Sequence, residues 1–288
     1  MAPRITIITP SYNQAQFLES TIASVLDQRY SNLEYMIVDG ASTDGSVEII
    51  RRYEKHLAWW VSEPDRGQAH AINKGIERAT GSIVAFINSD DQYLPGAFSS
   101  VVEAFAQNPG LDWLCGDTIM FGEGHPTQLV KAVGPRSAAQ VLAWENQALQ
   151  PGMFWKRALV EQRFNEEYRF AFDMDFYVRL LLKRHRCGHL PLPVATYRLH
   201  PSSKTVAEGS AMADELDHLA VVYDGHLPWL GRQRCRSTQL VRRSFRASSA
   251  GDRSESARQL VRAFLTYPGI VTKRPFWGTL RRSLTSKR

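Results

Sequence analysis

The sequence predicts an α/β fold with a mainly parallel central sheet, helices on both faces, and a small helical appendage at the C-terminal end. Through about the first hundred residues, short apolar runs alternate with segments whose apolar residues recur at helical spacing. Alternation of that kind buries both faces of a parallel sheet under its crossover helices. Each apolar run also ends in polar or acidic residues. Finally, charge is unevenly spread: residues 206–288 hold 15 Lys and Arg against 7 Asp and Glu, a net of +8, whereas residues 1–205 hold 20 against 22.

The elements follow in order. "RITIITP" is a short strand, and the segment after it carries Phe17, Leu18, Thr21, Ile22, Val25 and Leu26 on one helical face. "LEYMIVDG" is a second apolar strand ending in Asp39 and Gly40, followed by "STDGSVEIIRRYEKHL", a helix opened by polar capping residues. "AWWVSE" reads as strand, "GQAHAINKGIERAT" as helix, "SIVAFINSDD" as strand and "PGAFSSVVEAFAQNP" as helix. After "DWLCGDTIMFG" the pattern is irregular until the helix "FDMDFYVRLLLKRHR" and the strand "HLPLPVATYRLH", which leads into "PSSKT". Residues 1–205 are expected to form the main domain and residues 206–288 a basic helical region with amphipathic pieces such as "SARQLVRAFL".

A length of 288 residues with 43% hydrophobic content suits one large domain plus an appendage. Cys115, Cys187 and Cys235 are odd in number and widely spaced, which favours a reducing compartment over a disulfide framework. The cluster "HRCGH" lacks a fourth ligand for zinc. No apolar stretch is long enough for a signal peptide or a spanning helix, so the expected location is cytoplasmic. The basic tail points to an anionic partner, a membrane surface or a nucleic acid, or else to a solvated helical face. No nucleic-acid recognition motif accompanies the charge, and peripheral contact with the inner face of the plasma membrane is the favoured partner.

The first strand is followed by "TPSYNQAQF", without the Gly-x-Gly-x-x-Gly turn of a dinucleotide site, and the chain has no Gly-x-x-x-x-Gly-Lys-Ser/Thr loop. In open sheets of this class, ligands lie beyond the carboxyl ends of the strands. Here those ends are "TPSYN", "VDGAS", "SEPDRG" and "NSDD". Adjacent carboxylates repel unless water, a cation or a positive group offsets them. Hard cations such as Mg2+ and Mn2+ take oxygen ligands, typically one or two carboxylates completed by water and substrate phosphate.

The blocks "TPSYNQAQFLESTIASVLDQ", "IVDGASTDGS", "SEPDRGQAHAINKGIERATG" and "INSDDQYLPGAF", continued by "FDMDFYVRLLL" and "YRLHPSSKT", resemble a family 2 glycosyltransferase with the GT-A fold across residues 4–205. The resemblance implies an inverting, Mn2+- or Mg2+-dependent enzyme. It would move a sugar from a nucleotide-diphosphate sugar, foremost a UDP-sugar, to a glycan or lipid-linked acceptor in bacterial envelope or exopolysaccharide synthesis. By the same resemblance, Pro10, Tyr12, Asp39 and Asp65 match positions on the nucleotide side, and Lys74 is a candidate partner for phosphate or for the nearby aspartates. "NSDD" corresponds to the Asp-x-Asp metal motif, with Asn88 in place of an aspartate. Asp90 then becomes the first metal ligand, Asp91 a supporting ligand, and Asn88 a contact for ribose or sugar.

Inverting transfer needs a carboxylate to take the acceptor's proton. Asp173 aligns with the family's base, while Phe172 stands where the family has a glutamate. Asp175 is the alternative base, or pairs with Arg179 at the i, i+4 spacing. In "LQPGMFWKR", Gln150, Phe154 and Trp155 fall on the acceptor side, although aromatic residues in such a stretch are more often core. His200 is a third candidate ligand and Lys204 a candidate phosphate partner, both in a loop suited to order over bound donor. Ser42 and Asp44 read as caps of the following helix. Two alternatives stay open: a nucleotidyltransferase, which would want a Gly- and Lys/Arg-rich loop after the first strand, and a non-catalytic nucleotide- or carbohydrate-binding scaffold.

Overall fold

A computed structural model describes residues 2–145 and 148–284. Four strands, β1 (Ile5–Ser11), β2 (Leu33–Asp39), β3 (Trp59–Ser62) and β4 (Ile83–Phe86), pair in parallel in the order β3-β2-β1-β4. They are joined by helices α1 (Ala15–Leu26), α2 (Ser46–Tyr53) and α3 (Gln68–Arg78). Because all four strands run the same way, Ser11, Asp39, Ser62 and the residues after Phe86 emerge along one edge.

Past β4 the sheet becomes mixed. The two-residue strand β5 (Gln92–Tyr93) and α4 (Ala97–Gln107) lead to the long β6 (Trp113–Gly122), which the exposed β7 (His125–Val130) follows as an antiparallel hairpin partner. After α5 (Ala138–Leu142), strand β8 (Met153–Lys156) inserts between β4 and β6, antiparallel to both. It starts at the edge where β4 ends, following the single turn Gln150–Gly152. That turn sits tight on the sheet, since a Cβ on Gly152 would lie 2.6 Å from the Gly116 carbonyl oxygen. Helices α6 (Arg157–Val160) and α7 (Phe172–Leu182) then precede β9 (Cys187–Leu199), which runs parallel to β6 and antiparallel to β5.

The apolar periodicities explain the layers. On one face, Ile5, Ile7, Tyr35, Ile37, Ile83 and Ala85 pack under Leu18, Ile22 and Val25 of α1, Ile50 of α2, and Val101 and Phe105 of α4. On the other, α3 comes so close to β1 that a Cβ on Gly75 would sit 2.7 Å from Ile8 Cγ2. There Phe86, Trp155, Phe164 and Phe176 form an aromatic stack with centroid separations of 4.5 to 6.2 Å.

A second compact unit consists of Ser137–Glu145 and Ser210–Arg288; the first takes the remainder, Met1–Arg136 with Asn146–Gly209. The short α8 (Lys204–Ala207) closes the first unit. In the second, α9 (Gly209–Val222), α10 (Trp229–Ser249), α11 (Arg253–Thr266) and α12 (Arg274–Leu284) accompany α5. Val241, Leu260, Ala263, Ile270 and Phe276 form its core. Glu145, just after α5, is clamped by Arg234 and Lys273. Burial pushes its carboxyl up, but these two cations outweigh that and hold it below the usual range. No helix among the described residues is long and apolar enough to cross a membrane.

Glu34 ties β1 and β2 to the connection before β4, at the edge opposite the acidic tips. Its carboxylate accepts from Thr6 Oγ1 at 2.5 Å and from the Thr80 amide and hydroxyl at 2.8 and 2.6 Å. Burial raises its pKa, and these hydrogen bonds overcome that to lower it. Glu34→Ala is expected to cost about 2–4 kcal/mol in urea unfolding, because Thr6 and Thr80 lose their acceptor. Since the folded-state pKa is depressed, this contribution is present above the unfolded pKa and disappears as pH falls through the folded one. Wild type and variant should therefore converge in stability in acid.

Candidate active site

The tips of β1, β2 and β3 form one wall. Tyr12, just past β1, is 63% exposed, and its ring and the Asp65 carboxylate both close on Gly40: a Cβ on Gly40 would sit 3.2 Å from Tyr12 Cδ2 and 2.7 Å from Asp65 Oδ2. Asp65 also accepts from the Gly67 amide at 2.7 Å, which turns the chain into α3. Gly67 has φ +122°, a conformation that costs a side-chain-bearing residue dearly. Pro10 is buried inside β1, opposite Val38. Asp39 is fully buried, and its carboxylate is already occupied. It accepts from the Ser42 amide at 2.9 Å, the Ser42 hydroxyl at 2.5 Å and the Ser62 hydroxyl at 2.7 Å. Asp39 thus shapes the loop after β2 instead of offering a bare carboxylate.

Of Ser42 and Asp44, both expected to cap the helix after them, Asp44 reaches that helix's first amide, whereas Ser42 turns back to Asp39. Asp44 Oδ2 accepts from the Ala15 amide at 2.8 Å, at the start of α1, while Oδ1 accepts from the Ser46 hydroxyl at 2.6 Å and the Ser46 amide at 3.1 Å. One carboxylate serves two helix N-termini, where dipoles favour negative charge.

The end of β4 carries the acidic pair. Asp91 is 1% exposed and turned inward, accepting from the Arg198 amide at 2.9 Å and from Asn88 Nδ2 at 3.2 Å. Burial, then the neighbouring Asp90 charge, push its carboxyl well above the usual range. Asp90 points the other way and meets His200 Nε2 at 3.0 Å, while Ser202 Oγ lies 2.9 Å from His200 Nδ1. The His200 ring packs on Phe17 at 4.6 Å, and Arg198 lies between the Phe17 and Phe121 rings with its Nε donating to the Asp90 carbonyl at 3.1 Å.

From this tip a chain of contacts runs to Lys204. Asn88 Oδ1 accepts from Gln68 Nε2 at 2.6 Å, and Gln68 Oε1 accepts from Lys204 Nζ at 2.8 Å. Lys204 exerts its positive charge on Asp173, and Tyr197, hydrogen-bonded to Thr205 at 2.5 Å, feels the charges of Asp90, Asp91 and Asp173 together. Asp173 opens α7 from a recess that water reaches only partly. Burial raises its carboxyl to about 6, against the opposing effects of the Met174 and Asp173 amides and Lys204.

Other candidates lie elsewhere or are engaged. Gln150 donates to the Phe86 carbonyl at 2.9 Å, at the end of β4, and its Oε1 is buried without a partner. Lys74 pairs with Glu63 at 2.8 Å along a cleft of about 350 Å³ that Trp59, His70 and Glu166 also line. Trp155 and Phe154 are completely buried, so neither has a face for a sugar ring. The aromatic stack beneath β4 and β8 claims Trp155. Asp175 is 2% exposed and holds Arg179 at 2.8 Å, which in turn donates to the Gln162 and Arg163 carbonyls. Its carboxylate is spent on pinning the approach to α7. Sequence reasoning missed Gln68, Arg198 and Phe17. The signal for Arg198 lay in "YRLH", where the strand period places residues 198 and 200 on one face.

Two features limit what could be held here. Among the described residues no group of three or more His, Cys, Asp or Glu is arranged to hold a metal by itself. Asp90 and His200 do form an adjacent carboxylate and imidazole, a pair that suits a hard cation only if substrate oxygens complete its shell.

Comparison with known proteins bears on the family and the fold. TuaG of Bacillus subtilis (strain 168), named as a teichuronic acid biosynthesis glycosyltransferase, is 37% identical over 129 residues, 43% of this chain and 50% of TuaG. The uncharacterized glycosyltransferase Rv1514c of Mycobacterium tuberculosis (strain ATCC 25618 / H37Rv) is 31% identical over 187 residues, 63% of this chain and 70% of that protein. The chain thus aligns with half of the one relative and somewhat more of the other. S. aureus TarS (residues 1–349), solved in complex with UDP-GlcNAc, superposes with a TM-score of 0.67 at 17% identity, covering 97% of this chain and 88% of that one. The mannosyltransferase PcManGT of Pyrobaculum calidifontis, solved with GDP-Man and Mn2+, superposes with a TM-score of 0.64 at 20% identity, covering 98% and 84%. Both structural likenesses speak to the fold. Residues 6–163, more than half of the chain, match glycosyl transferase family 2, and the chain belongs to that family.

Proposed function

We propose that this protein transfers a sugar from a nucleotide-diphosphate sugar, foremost a UDP-sugar, to a hydroxyl of a glycan or lipid-linked acceptor, with inversion at the anomeric carbon. The setting proposed is bacterial envelope or exopolysaccharide synthesis. The observation that carries this reading is the contact chain Lys204–Gln68–Asn88, which ties the lysine whose charge is felt at Asp173 to the acidic end of β4. The names of TuaG, of TarS with UDP-GlcNAc and of PcManGT with GDP-Man support the chemistry.

In this reading Tyr12, Gly40 and Asp65 receive the nucleoside, the exposed Tyr12 ring giving a flat apolar surface. Asp39 acts at one remove, by fixing the loop on which Gly40 and Ser42 sit. Lys204 leaves Gln68 to meet a phosphate, so the 200–207 segment orders over donor. Asp90 and His200 would hold Mn2+ or Mg2+, which when bound supplies a Lewis acid for the negative charge of the departing diphosphate. Asp173 accepts the acceptor hydroxyl's proton as that oxygen bonds to the anomeric carbon and the bond to the diphosphate breaks.

Asp173→Asn is expected to lower kcat by about 10²–10⁴ with little change in donor KM. In the wild type, kcat/KM should rise with pH through about 6 as the Asp173 carboxyl ionises. The same substitution tests the linkage. Because the folded-state pKa is raised, charging Asp173 costs stability progressively above the unfolded pKa, so the variant should melt higher than wild type at about pH 8 but not at about pH 4. An unchanged kcat would reject Asp173 as the base.

His200→Ala should raise the Mn2+ or Mg2+ concentration for half-maximal turnover by about 10–100-fold, read as nucleotide release during donor hydrolysis. Turnover that persists in excess chelator would remove the cation from the proposal. Gln68→Ala, which frees Lys204 and Asn88 from each other, should change donor KM more than kcat. In thermal-shift titrations, a UDP-sugar should raise the melting temperature more than GDP-mannose does; the reverse order would reassign the donor.

A further inference from the structure

The second unit carries 15 Lys and Arg against 7 Asp and Glu, and several of its largest apolar side chains face water. Val221, Val222, Trp229 and Leu230 lie around the turn from α9 to α10, while Val261, Phe264, Leu265 and Trp277 lie between the second half of α11 and the start of α12. The inward face of α11, with Ser256, Gln259, Leu260 and Ala263, packs into the small core. Its outward face presents Arg258, Val261, Arg262 and Leu265 at the i, i+3, i+4, i+7 spacing, with Phe264 alongside. Val261 is 58% exposed, Phe264 44% and Leu265 72%. After the single turn Pro268–Thr272, Trp277 is 56% exposed, its indole N–H donating to the Val271 carbonyl at 2.6 Å. Arg262 and Arg274 are exposed, and neither has a carboxylate partner among the described residues.

We propose that this face, made by Val261, Phe264 and Leu265 of α11 and Trp277 of α12, docks onto the surface of an anionic lipid bilayer. Apolar and aromatic side chains interleaved with arginines are what an interfacial helix needs. The former enter the acyl boundary while the guanidinium groups stay at the phosphate level. Each basic residue near a negatively charged leaflet adds about 1 kcal/mol, a factor of about five in binding. The other occupants fit less well. A second copy packed on this face would bring Arg262 close to its own counterpart, whereas Arg258 is held by Glu255 at 2.8 Å. A nucleic acid would satisfy the arginines and gain nothing from Val261 and Leu265. Because the apolar side chains already face water, replacing them leaves the core intact, and the inference stands apart from the identity of donor or acceptor.

The test is co-sedimentation of the full chain with vesicles of phosphatidylcholine alone or of phosphatidylcholine containing phosphatidylglycerol. Wild type should bind the anionic vesicles at least tenfold more tightly than the neutral ones, and less tightly in high salt. Phe264→Ser with Leu265→Ser should weaken binding at least tenfold, and Arg262→Gln or Arg274→Gln about fivefold each. Trp277→Leu should keep binding but lose the blue shift in tryptophan emission that vesicles induce. Unchanged melting temperature and donor hydrolysis in solution serve as controls for folding. The proposal is overturned if the serine variant binds as well as wild type, or if neutral and anionic vesicles bind alike. It is equally overturned if the same substitutions dissolve a dimer in vesicle-free solution, or if duplex DNA is bound in preference to vesicles.

Discussion

Burying Asp91 at the end of β4 is the constraint around which the candidate site is organised. A carboxylate removed from water must be hydrogen-bonded or neutralised. Asp91 is served by the Arg198 amide from β9 and by the Asn88 side chain. Meeting that need docks the end of β9 onto the end of β4. It therefore fixes where His200, Ser202 and Lys204 emerge, although they lie more than a hundred residues later in the chain. With Asp91 turned inward, Asp90 is turned outward to His200, and two adjacent acids acquire opposite surroundings.

Carboxylates at the same sheet edge divide in the same way. Asp39 is enclosed by two serines and Asp175 by an arginine, and each holds a loop in shape. Asp65 and Asp173 keep access to water, and burial leaves Asp173 with a raised pKa suited to taking a proton near neutral pH.

The parallel half of the sheet was legible because each strand is a continuous apolar run and each helix keeps its spacing, from Ile5 to Phe105. The insertion of β8 between β4 and β6 was not, because four residues, Met153–Lys156, have no distinctive period. Within the site, the family resemblance named Asp90 and Asp173 and the loop after the last strand named His200 and Lys204; the fold sets His200 against Asp90 and Lys204 against Gln68. Burial could not be read in the same way. Trp155 belongs to the core because Phe86, Phe164 and Phe176 arrive from three separate elements to cover it. Gln68 was silent because its partners, Asn88 and Lys204, lie 20 and 136 residues away.

The position of α5 bears on how the chain can be divided. Residues Ser137–Glu145 leave the first unit, join the C-terminal helices and return, so the backbone passes between the units more than once. A shortened protein ending near residue 205 would retain α5 while losing the helices that cover it. Gly231 and Cys235, which pack on Ala139, would be gone, and Glu145 would be stripped of Arg234 and Lys273. Such a fragment would display a raw apolar helix and an orphaned acid, and its aggregation would be a property of the cut.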